Sequence, residues 1–214
     1  RERYFDDFPI PETDYRPLYL DAANNSLNSA PVDDQAQSRY AAQKTGSEAD
    51  STTWEYIFDE AVDLIGHMKL KLWVSAEDAN DLDLHVAVKK FDTHGNEVYF
   101  PDFQHIENGL AASGWLRVSH RELDEEKSTP WQPWLKHERL LKLAPDDIVP
   151  CEVEILASAT GFRAGDKLQL IVQGYDIISV FNRFKHEDTV NAGHHVIYTG
   201  GDYDSHLLVP AIAV

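Results

Sequence analysis

Hydrophobic and polar side chains alternate along most of this chain, and the alternation is clearest between Gly66 and Phe91. Met68, Leu70, Leu72, Val74 and Ala76 fall on one face of an extended segment, because successive strand side chains point to opposite sides. Leu82, Leu84, Val86 and Val88 repeat the pattern. The spacing predicts two strands that are neighbours in a sandwich core. Between them Asp78, Asn80, Asp81 and Asp83 form an acidic loop. Such a loop either holds a ligand or is held by the fold.

The same period recurs elsewhere. Arg16–Asp21 predicts a first short strand, Asn24–Ser29 a turn, and a second short segment ends at Pro31. Asp33–Asp50 is polar and weakly periodic, and reads as a helix around Gln35–Lys44 or as a loop. Trp54, Tyr56 and Phe58 alternate with Glu55 and Ile57, which predicts a strand running on through Gly66; a helix over Tyr56–Ile65 is the alternative. Gly95-Asn96 marks a turn, with Glu97–Phe100 returning as a hairpin partner. Pro101–Ser113 and Ile177–Asn191 read as loops. Gly114–Glu122 reads as a strand, with Leu116 and Val118 on one face and Trp115, Arg117, Ser119 and Arg121 on the other. Cys151–Ser158, Lys167–Tyr175, His194–Thr199 and Ser205–Pro210 complete the set, with turns at Phe162–Asp166 and Gly200-Gly201.

About ten short strands with irregular turns and little helix predict an all-β jelly roll or sandwich. Residues 1–214 read as one domain with an extended lead-in over about residues 1–53.

Composition narrows the function. The formal charge of −18 argues against nucleic acid and anionic membrane as partners, since phosphate binding needs a basic footprint. No apolar run is long enough for a membrane-spanning helix. Cys151 is the single cysteine and reads as a small core residue; no intrachain disulfide can form. A cytoplasmic setting is expected, with secretion left open. The chain starts at Arg1, not Met, which suggests a piece of something longer.

Catalytic motifs are missing from the sequence. No Gly-x-Ser-x-Gly elbow, phosphate loop or dinucleotide fingerprint occurs. The ten histidines are scattered, His105 and His186 among them. Adjacent His194 and His195 point to opposite sides of a strand and would not chelate one ion together. Neither metal nor cofactor is expected. The acidic loop has the hard oxygens that Ca²⁺ prefers, but Leu82 and Asp83 break the helix-loop-helix calcium pattern. The competing reading pairs Asp81 or Asp83 with Arg117 or Arg121 on a nearby strand. Trp131 and Trp134 leave three readings open: stacking on a sugar, cover by another domain, or packing on their own sheet.

Four stretches resemble one known family when taken in order. They are LKLWVSAEDANDLDLHVAV, GWLRVSHREL, FRAGDKLQL and the ending YTGGDYDSHLLVPAI, preceded by the lead-in PIPETDYRPLYL. Together they resemble the C-terminal non-catalytic domain of X-Pro dipeptidyl-peptidases and cocaine-esterase-like acyl esterases, the CocE/NonD hydrolases. The resemblance implies a jelly-roll β-sandwich of galactose-binding-domain-like shape, a label that describes architecture and does not imply sugar binding. It also implies a partner, the α/β-hydrolase domain of the same parent chain, which would hold the nucleophilic Ser, the Asp and the His. No catalytic residue carries over to this chain. What carries over is a structural signature: Asp81, Asp83, Arg117, Arg121, Gly165, Ser205 and Pro210. The expected function is packing on and stabilising that hydrolase domain, with a carbohydrate-binding module as the alternative. Homo-oligomerisation is left open.

Overall fold

A computed structural model describes residues 3–44, 46, 48–102, 106–177 and 189–214. His105, His186 and most of the expected loop at Ile177–Asn191 lie outside the described residues. In chain order the strands are β1 (Asp14–Asp21), β2 (Ser26–Asn28), β3 (Ala36–Ala41), β4 (Ser51–Ile57), β5 (Val62–Glu77), β6 (Asp83–Phe91) and β7 (Glu97–Val98). Then follow β8 (Phe100–Asp102), β9 (Ile106–Gly109), β10 (Ala112–Arg117), β11 (Val149–Phe162), β12 (Lys167–Gln173), β13 (His194–Thr199) and β14 (His206–Ala213). A 3-10 turn at Val118–His120 is the only helical element among the described residues.

β5 is the spine. Its even-numbered residues from Val62 to Val74 are buried and the odd-numbered residues between them are half-buried, so one face lines the core throughout. Gly66 allows a strand of this length to bend. The pairing of β5 with β14 skips between Leu208 and Ala211, and its pairing with β11 skips between Ile155 and Ser158, both beside Gly66. Pro210 sits at the first skip, where it has no N–H to give to a ladder. Gly66 has φ +137°, and a Cβ there would come within 3.3 Å of the Pro210 ring.

The strands form one hydrogen-bonded path, β10-β6-β12-β4-β2-β1-β14-β5-β13-β3, with β11 added beside β5 and β7 beside β6. The path folds over at a single parallel bridge, Ser26 to Glu55. β10, β6, β12 and β4 thus face β1, β14, β5 and β11 across one core. Trp54, Leu84, Val86, Leu116, Leu168 and Leu170 from the first layer meet Leu20, Leu64, Leu70, Val153, Ile155 and Leu207 from the second. This is a jelly-roll β-sandwich. The open edge closes where β10 crosses β11: a Cβ on Gly114 would lie 2.0 Å from the Glu154 carbonyl oxygen, so only glycine allows the approach.

Several expectations change. β5 and β6 are not hydrogen-bonded neighbours; they lie in opposite layers, and the acidic loop carries the chain across. The helix weighed at Gln35–Lys44 is the edge strand β3, paired with β13 from Ala36 to Ala41. Its outward Gln37 and Arg39 are polar because an edge strand is wet on one side, and this masks the period, while Tyr40 is buried. The helix weighed at Tyr56–Ile65 is absent: β4 ends at Ile57 and β5 begins at Val62. Pro101–Ser113 contains the β8–β9 pair and the start of β10. The strand read at Gly114–Glu122 stops at Arg117 and turns into the 3-10 segment. The lead-in contributes β1, β2, β3 and the start of β4, all within the sheet path.

Candidate functional site

The acidic loop sits where three distant segments converge. Asp81 is almost wholly buried. Its Oδ1 accepts from the Leu82 amide at 3.0 Å and the Ser119 amide at 2.9 Å. Its Oδ2 accepts from Lys142 Nζ at 2.7 Å. Asp83 takes Arg117 in a two-pronged pair, Nε to Oδ1 at 2.7 Å and Nη2 to Oδ2 at 3.0 Å. The Val190 amide and the Thr189 hydroxyl also donate to Asp83 Oδ2, each at 3.2 Å. Burial alone would raise the Asp83 carboxyl; the guanidinium and the amide outweigh it and hold the pKa below the usual carboxylate value. Both carboxylates are therefore engaged through both oxygens by protein donors, which favours anchoring over calcium binding.

Arg121 behaves differently from Arg117. Its Nη1 donates to the carbonyls of Val118 and Leu141 and ties the 3-10 turn to the returning chain. It does not pair with Asp81 or Asp83, because the strand has ended and its side chain turns away from the loop. Lys142 takes the place offered to it. No sequence signal marked Lys142, since it meets Asp81 across 61 positions.

Trp131 stacks on Tyr15, with centroids 5.0 Å apart and planes at 12°. One of its faces is thereby used within the sandwich. Trp134 is 50% exposed, with the Lys127 ammonium 5.9 Å from its ring centre. Among the described residues, no ring contact joins the two tryptophans. Elsewhere in the family-like signature, the Gly165 amide donates to the Phe58 carbonyl at 2.7 Å in a turn of φ +84°. Ser205 Oγ donates to the Tyr198 carbonyl at 2.7 Å and accepts from the Trp73 amide at 3.0 Å, locking β14 where β5 passes from one partner to the next.

A cavity of about 680 Å³ opens between β10, β11 and the segment after the 3-10 turn. Trp115, Leu135 and Leu156 are among its apolar walls, Asp83, Arg117, Glu152 and Glu154 are its charged ones, and His120 and His137 line it as well. Trp115 and Leu156 are both more than half exposed. Cys151 lies in the core beneath, and burial pushes its thiol up to about 12, so it is not a nucleophile. His195 is buried, with Nδ1 3.1 Å from the Tyr40 hydroxyl, and burial pushes its pKa down to about 4. Among the described residues, nothing around this cavity sets a nucleophile beside a base.

Comparisons with known proteins fit this geometry. The sequence profile of the X-Pro dipeptidyl-peptidase C-terminal non-catalytic domain matches residues 1–208. Among solved structures, a CocE/NonD family hydrolase from Staphylococcus aureus superposes with a TM-score of 0.94 at 47% identity, over 99% of this chain and 38% of that chain. An aminopeptidase from a marine sediment Thaumarchaeota archaeon superposes with a TM-score of 0.68 at 14% identity, over 98% of this chain and 38% of that one. An alpha-amino acid ester hydrolase does so with a TM-score of 0.59 at 13% identity, over 92% and 36%. The last two share the fold alone. The chain spans less than two-fifths of the length of each of these structures. No curated protein sequence matches it significantly.

Proposed function

This chain belongs to the X-Pro dipeptidyl-peptidase C-terminal non-catalytic domain family, and from that premise we propose that it packs on and stabilises the α/β-hydrolase domain of a serine hydrolase. The observation that carries the reading is the near-complete superposition on part of a CocE/NonD hydrolase almost half identical to it. The parent would work through an acyl-enzyme, with Ser attack, His as base and backbone amides around the oxyanion. This domain would supply none of those groups. Its role is to offer a shaped, rigid face. The exposed Trp115 and Leu156 beside the cavity are candidates for that face, since large apolar side chains grouped at a surface mark contact with another body. The carbohydrate-binding alternative loses ground because Tyr15 already occupies one face of Trp131.

Sedimentation velocity with a separately expressed CocE/NonD α/β-hydrolase domain tests the reading. A one-to-one complex is the expected result, with no hydrolysis of p-nitrophenyl esters or Xaa-Pro amides by this chain alone. Turnover by the isolated chain that a fluorophosphonate abolishes would overturn it. So would failure to associate, together with saturable oligosaccharide binding that Trp131→Ala removes.

A further inference from the structure

His120 ends the 3-10 turn after β10, and His137 lies in the segment that runs back past it. Their Nδ1 atoms come within 3.2 Å across 17 positions of sequence, with ring centroids 5.1 Å apart and planes tilted by 49°. The two segments are fastened to each other on both sides of the pair. The Lys136 amide donates to the Glu122 carbonyl at 2.9 Å, the Asp124 amide to the Trp134 carbonyl at 2.7 Å, and the Leu141 amide to the Ser119 carbonyl at 2.7 Å. Leu123 and Leu135 form a bridge between them. Both imidazoles are thus mounted on a short backbone ladder, which fixes their spacing better than a free loop would.

Two nitrogens bound to one Zn²⁺-like ion at about 2.0–2.1 Å lie about 3.3 Å apart in a tetrahedron, and about 2.9 Å apart at a right angle. The observed 3.2 Å falls inside that interval. The neighbouring cations do not oppose an ion, since Arg139 and Lys136 are both drawn to Glu122, at 2.6 and 3.6 Å. Among the described residues no cluster of three His, Cys, Asp or Glu side chains is placed to hold a metal, so the other positions would belong to water or an incoming donor. Imidazole suits Zn²⁺, Ni²⁺ and Cu²⁺, whereas Mg²⁺ and Ca²⁺ require oxygen ligands.

We propose that His120 and His137 chelate one borderline divalent transition-metal ion beside this cavity, with its remaining coordination positions open. The same spacing suits a simple N–H···N hydrogen bond between opposite tautomers, and the experiment separates the two. The chain, stripped with chelator, is titrated with ZnCl₂ by calorimetry, and its CuCl₂ form is read by electron paramagnetic resonance. The expected result is one Zn²⁺ per chain, a two-nitrogen copper spectrum, and no saturable signal with MgCl₂ or CaCl₂. Affinity should fall at least tenfold in His120→Ala and in His137→Ala, and stay unchanged in the control His94→Ala. His137→Gln keeps a polar side chain at the position and should lose binding equally, with circular dichroism verifying each fold. The absence of saturable Zn²⁺ binding by the unaltered chain would overturn the proposal. Binding that survives both histidine substitutions, or that His94→Ala weakens as much, would overturn it too.

Discussion

Arg117→Ala removes one partner of a carboxylate that the fold has half withdrawn from water. The Asp83 side chain keeps 14% of its exposure and that of Arg117 37%. Exposed ion pairs contribute about 0–1 kcal/mol, and breaking a fully buried one costs about 3–5 kcal/mol. Arg117 is more than a third exposed, so solvent screening discounts the buried figure, and a loss of about 2 kcal/mol follows. For a domain of this size that lowers the melting temperature by about 4–8 °C. The pH dependence has a definite sign. The Asp83 pKa is lower in the folded state than in the unfolded chain, where it is about 3.9. The pair's contribution is therefore complete above that value and is lost as pH falls through the folded value. Urea titrations of both proteins at pH 7 and near pH 3 measure it, and the gap between them should shrink in acid. A double-mutant cycle with Asp83→Ala should give a coupling of about 1–2 kcal/mol. If Arg117→Ala unfolds at the parent's urea midpoint at pH 7, or if the gap is the same at both pH values, the anchoring argument fails.

Other consequences are simpler to measure. Gly114→Ala would drive a methyl into the Glu154 carbonyl, so a loss of about 3 kcal/mol or failure to fold is expected in urea melts. Cys151 should resist iodoacetamide at pH 8 in the native protein and react once urea unfolds it, since its thiol is buried and raised to about 12. His195 has a folded pKa of about 4, below its unfolded value of about 6.5, so the unfolded chain binds the extra proton. Its contribution to stability is complete above about pH 6.5 and is lost as pH falls towards about 4, by about 3 kcal/mol; His195→Phe should flatten that slope in pH-dependent melts. Leu156→Glu lies on the outer side of β11 and should weaken association with a hydrolase domain at least tenfold in sedimentation, with less than about 0.5 kcal/mol change in stability.

Strands with one wet face were legible in the sequence because burial and period agree there. β5 shows this directly, and so does Cys151 as a core residue of β11, whereas β12 and β14 alternate only at their starts, since Leu170 to Gln173 and Val209 to Ile212 are all buried. β6 was legible too, from Leu82, Leu84, Val86 and Val88, although Leu84 to Val88 are all buried and both of its faces are covered. β3 was hidden by its polar outer side, and its partner β13 lies far along the chain. The choice between Arg117 and Arg121 turned on where a strand ends, which period alone does not set. The 3-10 turn moves Arg121 off the strand and towards Leu141. Lys142 and the His120–His137 pair have no local pattern at all, since each depends on a chain reversal between residues 121 and 143 that polar, proline-bearing sequence does not specify.

The acidic loop therefore holds the fold's own distant segments together. Asp81 fastens the 3-10 turn through the Ser119 amide and the returning chain through Lys142. The Leu143 amide reaches the Asn80 carbonyl at 2.9 Å, and the Val118 amide the Leu82 carbonyl at 2.9 Å, on either side of it. Asp83 fastens the end of β10 through Arg117, and residues 189–190 through the Thr189 hydroxyl and the Val190 amide. These attachments fix the walls of the cavity, because β10 and the segment carrying Leu135 and His137 are the parts that line it. A loop that crosses between two sheets would ordinarily be the freest part of a sandwich. Here Asp81 and Asp83 are held from three directions, so the cavity walls they support are fixed by the fold itself. Under the proposed function, a surface fixed in this way would lose little conformational freedom on association with a hydrolase domain.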